Sequence, residues 1–131
     1  MMEESMLENT SGTGKETAVP AEVAGKFNWG AFFLSWIWGL GNATYLPLII
    51  LAVAFIPFVG PIGCLGLAIW FGIKGNEWAW QNKRFENVEA FHSYQKKWAI
   101  AGIIVACIGI IWTIFSVLVV GALMFAGSGT N

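Results

Sequence analysis

From Phe27 to Ile73 the chain carries no charged side chain, from Lys74 to Lys97 it turns polar, and from Trp98 to Phe125 it is uncharged again. Soluble helices and strands space their apolar positions at periods of 3.6 or 2, whereas these runs are nearly continuous. At about 1.5 Å per residue the first run is too long for one crossing of a hydrocarbon core about 30 Å thick. It must therefore be divided. Gly39, Gly41 and Asn42 form a weak break, and Pro57-Phe58-Val59-Gly60-Pro61 a stronger one, because proline lacks the helical donor and clashes with the preceding turn. The pattern predicts a Trp-rich interfacial helix over 28–40, short spans at about 43–57 and 62–80, and a third span over 98–125. One long kinked span from Ala31 to Pro57 is the alternative to the first two pieces.

The third run is the clearest. It would reach about 42 Å, so it must tilt or protrude. Before it, Asn87-Val88-Glu89 has the form of a helix start, with a capping amide and an acid in the first turn. Phe91, Tyr94 and Trp98 then share one face of a cytoplasmic amphipathic helix. Residues 1–26 are polar and rich in Ser, Thr and Gly, too poor in apolar surface to offset their ordering entropy, and are expected to form a disordered tail. The helical membrane domain then covers 27–126, followed by a short tail over 127–131. The predicted fold class is all-α integral membrane, with about three transmembrane helices.

Composition supports this. Of the 131 residues 56% are apolar and 11% charged, and the mean hydropathy is +0.64. A soluble domain carries roughly 25% charged residues to cover its surface. The net charge of −1, with no clustered basic surface, gives no footprint for nucleic acid. Cys64 and Cys107 lie inside apolar runs and have the character of small hydrophobic fillers. Five of the seven basic residues, Lys74, Lys83, Arg84, Lys96 and Lys97, lie between the second and third predicted spans. The positive-inside rule then places this segment and the N-terminus in the cytoplasm and the C-terminus outside.

Two patterns suggest contacts. Ala99, Gly102, Ala106, Gly109, Thr113 and Ser116 form a narrow stripe of small residues along the third span. In lipid, helices associate through close backbone approach, so the stripe marks a helix contact, with internal packing favoured over a partner. Of the eight tryptophans, Trp29, Trp36, Trp38, Trp78, Trp80 and Trp98 fall at the predicted cytoplasmic face. Amphipathic indoles collect at the headgroup level, so an aromatic belt suffices to explain them, and a docking surface is the functional alternative.

Candidates for chemistry are thin. No ionisable group lies deep in a predicted span, which argues against a proton-coupled transporter. His92 is the only histidine, and an interfacial side chain beside Glu89 describes it better than a metal or pigment ligand. Glu86 and Glu89 stand one turn apart as ordinary surface charge, and neither Ser35 nor Ser116 has a base near it in sequence. A converging Glu77–His92 pair would be needed to support an enzyme. Neither catalytic residues nor a cofactor or metal site are therefore expected.

The segments Phe27-Asn28-Trp29-Gly30-Ala31-Phe32-Phe33, Trp36-Ile37-Trp38-Gly39 and Gly72-Ile73-Lys74-Gly75-Asn76-Glu77-Trp78-Ala79-Trp80 resemble the bacterial small membrane proteins grouped as domain of unknown function 2628. Asn87–Phe91 and Gln95–Ala99 are similar as well. The resemblance covers roughly Lys26 to Phe125 and implies a multi-pass protein of the bacterial inner membrane. Its motifs are aromatic and topological, so it implies no activity. The expected role is an accessory or scaffold subunit that binds lipids and other membrane subunits or itself. A small oligomeric channel or transporter for a weakly polar solute is the alternative, with Thr44, Thr113 and Ser116 as its scant lining.

Overall fold

A computed structural model describes residues 9–14 and 18–129. Among these there are helices and no strand: α1 (Ala21–Ala24), α2 (Trp29–Leu34), α3 (Trp36–Gly41), a 3₁₀ turn (Leu46–Leu48), α4 (Ile49–Val53), α5 (Gly60–Asn82) and α6 (Val88–Ser128). Asn28 starts α2 and Asn87 starts α6 by the same device. In each, the side-chain Oδ1 accepts a backbone N–H three residues on, Ala31 at 2.8 Å and Ala90 at 2.7 Å. The expected start at Asn87 is therefore present, and α6 continues without a break to Ser128, two residues into the expected tail.

Among the described residues one helix, α6, is long and apolar enough to cross a membrane, where three spans were expected. The predicted first span over 43–57 divides into the 3₁₀ turn, the five residues of α4 and a series of turns over 54–59. The predicted second span lies within the continuous α5, but its last three turns carry Lys74, Asn76 and Glu77. From Gly60 to Ile73 its apolar part reaches about 21 Å, short of a hydrocarbon core of about 30 Å. α4 and α5 instead form a hairpin at the Pro57–Pro61 break. A Cβ on Gly63 would stand 2.9 Å from Val53 Cγ1, and Cys64 Sγ lies 3.8 Å from the Ile50 carbonyl.

The predicted interfacial helix over 28–40 is two helices. They break at Ser35, whose φ of 43° and ψ of −104° belong to glycine-favoured backbone. The Ser35 hydroxyl has only a 3.4 Å contact with the Phe32 carbonyl to lose. Ser35→Gly is expected to stabilise the fold by about 1 kcal/mol, seen as a raised thermal midpoint in detergent, and an unchanged or lowered midpoint would refute the strain.

The core lies where these short elements meet the polar ends of α5 and α6. Val23, Ala31, Leu34, Trp38, Phe71, Ala79, Trp80, Phe85 and Phe91 are buried there. α2 fits between α5 and α6 because glycines allow close approach on both sides. A Cβ on Gly75 would lie 2.9 Å from Ala31 Cβ, and one on Gly102 2.9 Å from Phe33 Cβ.

The polar N-terminal segment is ordered where it is described, contrary to the expected tail over 1–26. Residues 1–8, 15–17 and 130–131 lie outside the described residues. Gly12 and Gly14 donate to the Trp80 and Gln81 carbonyls at 2.7 and 2.9 Å, supplying donors that the end of α5 lacks. Phe85 N–H donates to Ser11 Oγ at 2.9 Å, and Trp80 Nε1 to Thr10 Oγ1 at 3.0 Å. Hydrogen bonds to the end of α5 and the loop beyond it hold residues 10–14, and burial of Val23 in the core holds α1. Composition does not register that source of order.

Candidate functional site: an amide network and the cleft above it

Four uncharged amides from four parts of the chain meet in the buried centre. Asn28 Nδ2 donates to Asn76 Oδ1 at 2.7 Å and to Gln95 Oε1 at 2.9 Å. Trp38 Nε1 donates to the same Gln95 oxygen at 2.9 Å, and Gln95 Nε2 donates to Asn42 Oδ1 at 2.6 Å. Asn42 Nδ2 closes the circuit on the Trp38 carbonyl at 2.8 Å, and Asn76 Nδ2 reaches out to the Lys26 carbonyl at 3.0 Å. Beside them, Tyr94 donates to the Gly41 carbonyl at 2.6 Å. Among the described residues no buried side-chain polar atom lacks a partner. Amides suit this place because each both donates and accepts, and none brings a charge that burial would penalise.

Two clefts open beside the network. One of about 160 Å³ has Asn28, Asn76 and Gln95 on its floor and Lys26, His92 and Lys96 around it, with Trp29 at one side. The other, about 590 Å³, runs past Thr44, Tyr45, Trp70, Glu77, Trp78 and Asn82. Glu77 and His92 therefore belong to different clefts, and no hydrogen bond or ion pair joins them. Glu77 pairs instead with exposed Lys74 at 3.5 Å. No group of three or more His, Cys, Asp or Glu side chains able to hold a metal exists among the described residues. Cys64 and Cys107 are unpaired.

The six tryptophans of the expected belt separate into two sets. Trp38 and Trp80 are fully buried and belong to the core, each with its indole N–H bonded inside the protein. Trp29 is half exposed, and Trp36, Trp78 and Trp98 are half-buried. The belt reading fails for Trp38 and Trp80, because pairing the N–H internally removes the need for headgroup water.

The small-residue stripe also divides. Ala99 and Gly102 lie against α2, while Gly109 and Thr113 are exposed and a Cβ on Gly109 would meet nothing within 4 Å. Ala106 and Ser116 are half-buried. Internal packing over the whole stripe is therefore not what forms, because α2 is too short to follow α6 beyond its first half. The three candidate pore residues do not share a lining. Thr44 lies in the head, the part of the fold where the short helices pack against the polar ends of α5 and α6, and is bonded to the Asn42 carbonyl and to Asn82, while the Thr113 hydroxyl donates to the Gly109 carbonyl of its own helix.

The sequence reading missed the amide network. Its visible signal was Asn28 and Asn42, isolated polar side chains in an otherwise uncharged aromatic run. Comparison with protein-family models, curated proteins and solved structures finds no match.

Proposed function

We propose that the chain is a bacterial inner-membrane protein of the domain of unknown function 2628 type that works by binding, as an accessory or scaffold subunit. α6 anchors it in the bilayer, and the outer part of α6 receives a helix from another subunit or a second copy. One observation carries the reading: α6 docks on the chain's own head only through its first half, and the window of highest hydropathy in it is 0% buried. The small residues continue into that uncovered part as Gly109, Thr113 and Ser116, where another backbone can approach closely.

The orientation follows from charge. All seven basic residues precede Trp98 and none follows it, which supports a cytoplasmic N-terminus and an external C-terminus. In this reading the α4–α5 hairpin enters the cytoplasmic leaflet and returns. Its tip presents Phe55 at 86% and Phe58 at 96% exposure, surfaces suited to lipid. Irregular backbone in lipid must satisfy its own polar groups, and the tip does so for most of its N–H groups, that of Phe58 excepted. Ala54, Phe55, Ile56, Val59 and Gly60 donate their N–H groups to carbonyls within the hairpin, and Pro57 has none to satisfy.

The test is the particle extracted in mild detergent. Gly109→Leu is expected to reduce a wild-type assembly to single chains while leaving insertion and the thermal midpoint unchanged. A variant particle with wild-type mass and composition would remove the docking role.

A further inference from the structure

We infer that the cleft between Lys26 and Lys96 is a binding site for the phosphate headgroup of an anionic phospholipid. His92 and Lys96 stand four residues apart on α6 and so present one side, and Lys26 is held at the cleft because Asn76 Nδ2 binds its carbonyl at 3.0 Å. No carboxylate among the described residues lines the cleft. The floor is donor-rich for a specific reason. Asn76 Oδ1 already accepts from Asn28, Gln95 Oε1 from Asn28 and Trp38, and Asn28 Oδ1 from the Ala31 N–H. Asn76 and Gln95 each use one amide hydrogen in the network, on the Lys26 carbonyl and on Asn42 Oδ1. Each keeps a second with no acceptor among the described residues. Two ammonium groups, an imidazole and two amide hydrogens make a setting for an anion with several acceptor oxygens.

A lipid, rather than a free anion, follows from what adjoins the cleft. Ala99, at its membrane end, lies in the uncharged stretch from Trp98 to Phe125. Lys96, Ile100 and Ile103 lie along one face of α6, and both isoleucines are exposed. Trp29 stacks on Phe33 with centroids 5.9 Å apart, both of them exposed beside the cleft. A phosphate seated between the lysines would thus have apolar surface on which its acyl chains lie. The volume of about 160 Å³ admits a headgroup and excludes the chains.

The inference rests on α6 crossing the bilayer, which resistance of the full chain to alkaline extraction from membranes tests separately. The experiment is native mass spectrometry of the detergent-solubilised full chain titrated with phosphatidylglycerol, with phosphatidylcholine as reference. Wild type is expected to retain one phosphatidylglycerol in preference to phosphatidylcholine. Lys26→Ala or Lys96→Ala should weaken retention roughly fivefold, and the double variant roughly thirtyfold. Lys83→Ala removes the same charge but sits over the Tyr94 ring, 5.3 Å from its centroid and outside the cleft, and should leave retention unchanged. Equal losses in all the variants would reduce the effect to net charge and overturn the site. Displacement of the lipid by millimolar inorganic phosphate would assign the cleft to a free anion and overturn the lipid reading.

Discussion

Gln95→Leu is expected to cost the head about 3–5 kcal/mol, the lower part of the sum for three groups left without partners at about 1–3 kcal/mol each. The groups are Trp38 Nε1 and one Asn28 amide hydrogen, which lose their shared acceptor, and Asn42 Oδ1, which loses its donor. Trp38 and Asn42 are fully buried, so water does not replace the partner that each loses. Against a typical total stability of about 5–15 kcal/mol, that leaves the head partly open. The measurement is thermal unfolding followed by tryptophan fluorescence, because Trp38 would pass from a dry site to a wet one. Gln95→Glu separates hydrogen bonding from shape. A protonated carboxyl can still accept from Asn28 and Trp38 and donate to Asn42, whereas a carboxylate cannot donate and brings a buried charge. The folded state therefore favours the protonated form, and stability should be highest below the ordinary carboxyl value of about 4.3 and fall as pH rises through it. A Gln95→Leu protein melting within about 1 kcal/mol of wild type would show that the network adds little.

That network marks the limit of what the sequence makes legible. Long apolar runs declare themselves through hydropathy, so α6 and the helix start at Asn87 follow from composition and a capping amide. The reversal at Pro57–Pro61 follows from two residues that cannot continue a helix. The count of spans does not follow in the same way. An uncharged run from Phe27 to Ile73 looks the same whether its pieces cross a bilayer or fold back on themselves. The distinction lies in Asn28, Asn42 and Asn76, whose partners are up to 67 residues away. Hydropathy averages such amides into their neighbours. The same holds for Trp38 and Trp80, since an interfacial indole and a core indole differ only in whether a Gln95 or Thr10 oxygen waits for the N–H. The N-terminal segment is the converse case: its order comes from the end of α5 and the loop beyond it, on which Gly12, Gly14 and Ser11 bind.

Gly102→Leu is expected to destabilise the head by about 3 kcal/mol, where Gly109→Leu leaves its melting unchanged. Both glycines lie on the one stripe that the sequence displays, but they face different surroundings. At Gly102 the first added carbon already stands 2.9 Å from Phe33 Cβ and 3.6 Å from Leu34 Cγ. Phe33 Cβ is fixed to the α2 backbone and cannot rotate aside, so α2 must move away from α6. The neighbouring contact resists that movement. Gly30 of α2 meets α6 in the reciprocal sense, with its own Cβ position 2.7 Å from Trp98 Cβ. Each helix thus supplies a glycine to the other's aromatic residue, and displacing one contact strains the second. α2 also carries the Asn28 cap, so the same shift pulls on the amide network. Thermal unfolding in detergent of both variants, alongside the masses of their particles, separates the roles. A melting loss confined to Gly102→Leu, with dissociation confined to Gly109→Leu, divides the stripe into an internal half and a docking half. A Gly102→Leu protein that melts like wild type would mean that α2 does not hold α6 at this point.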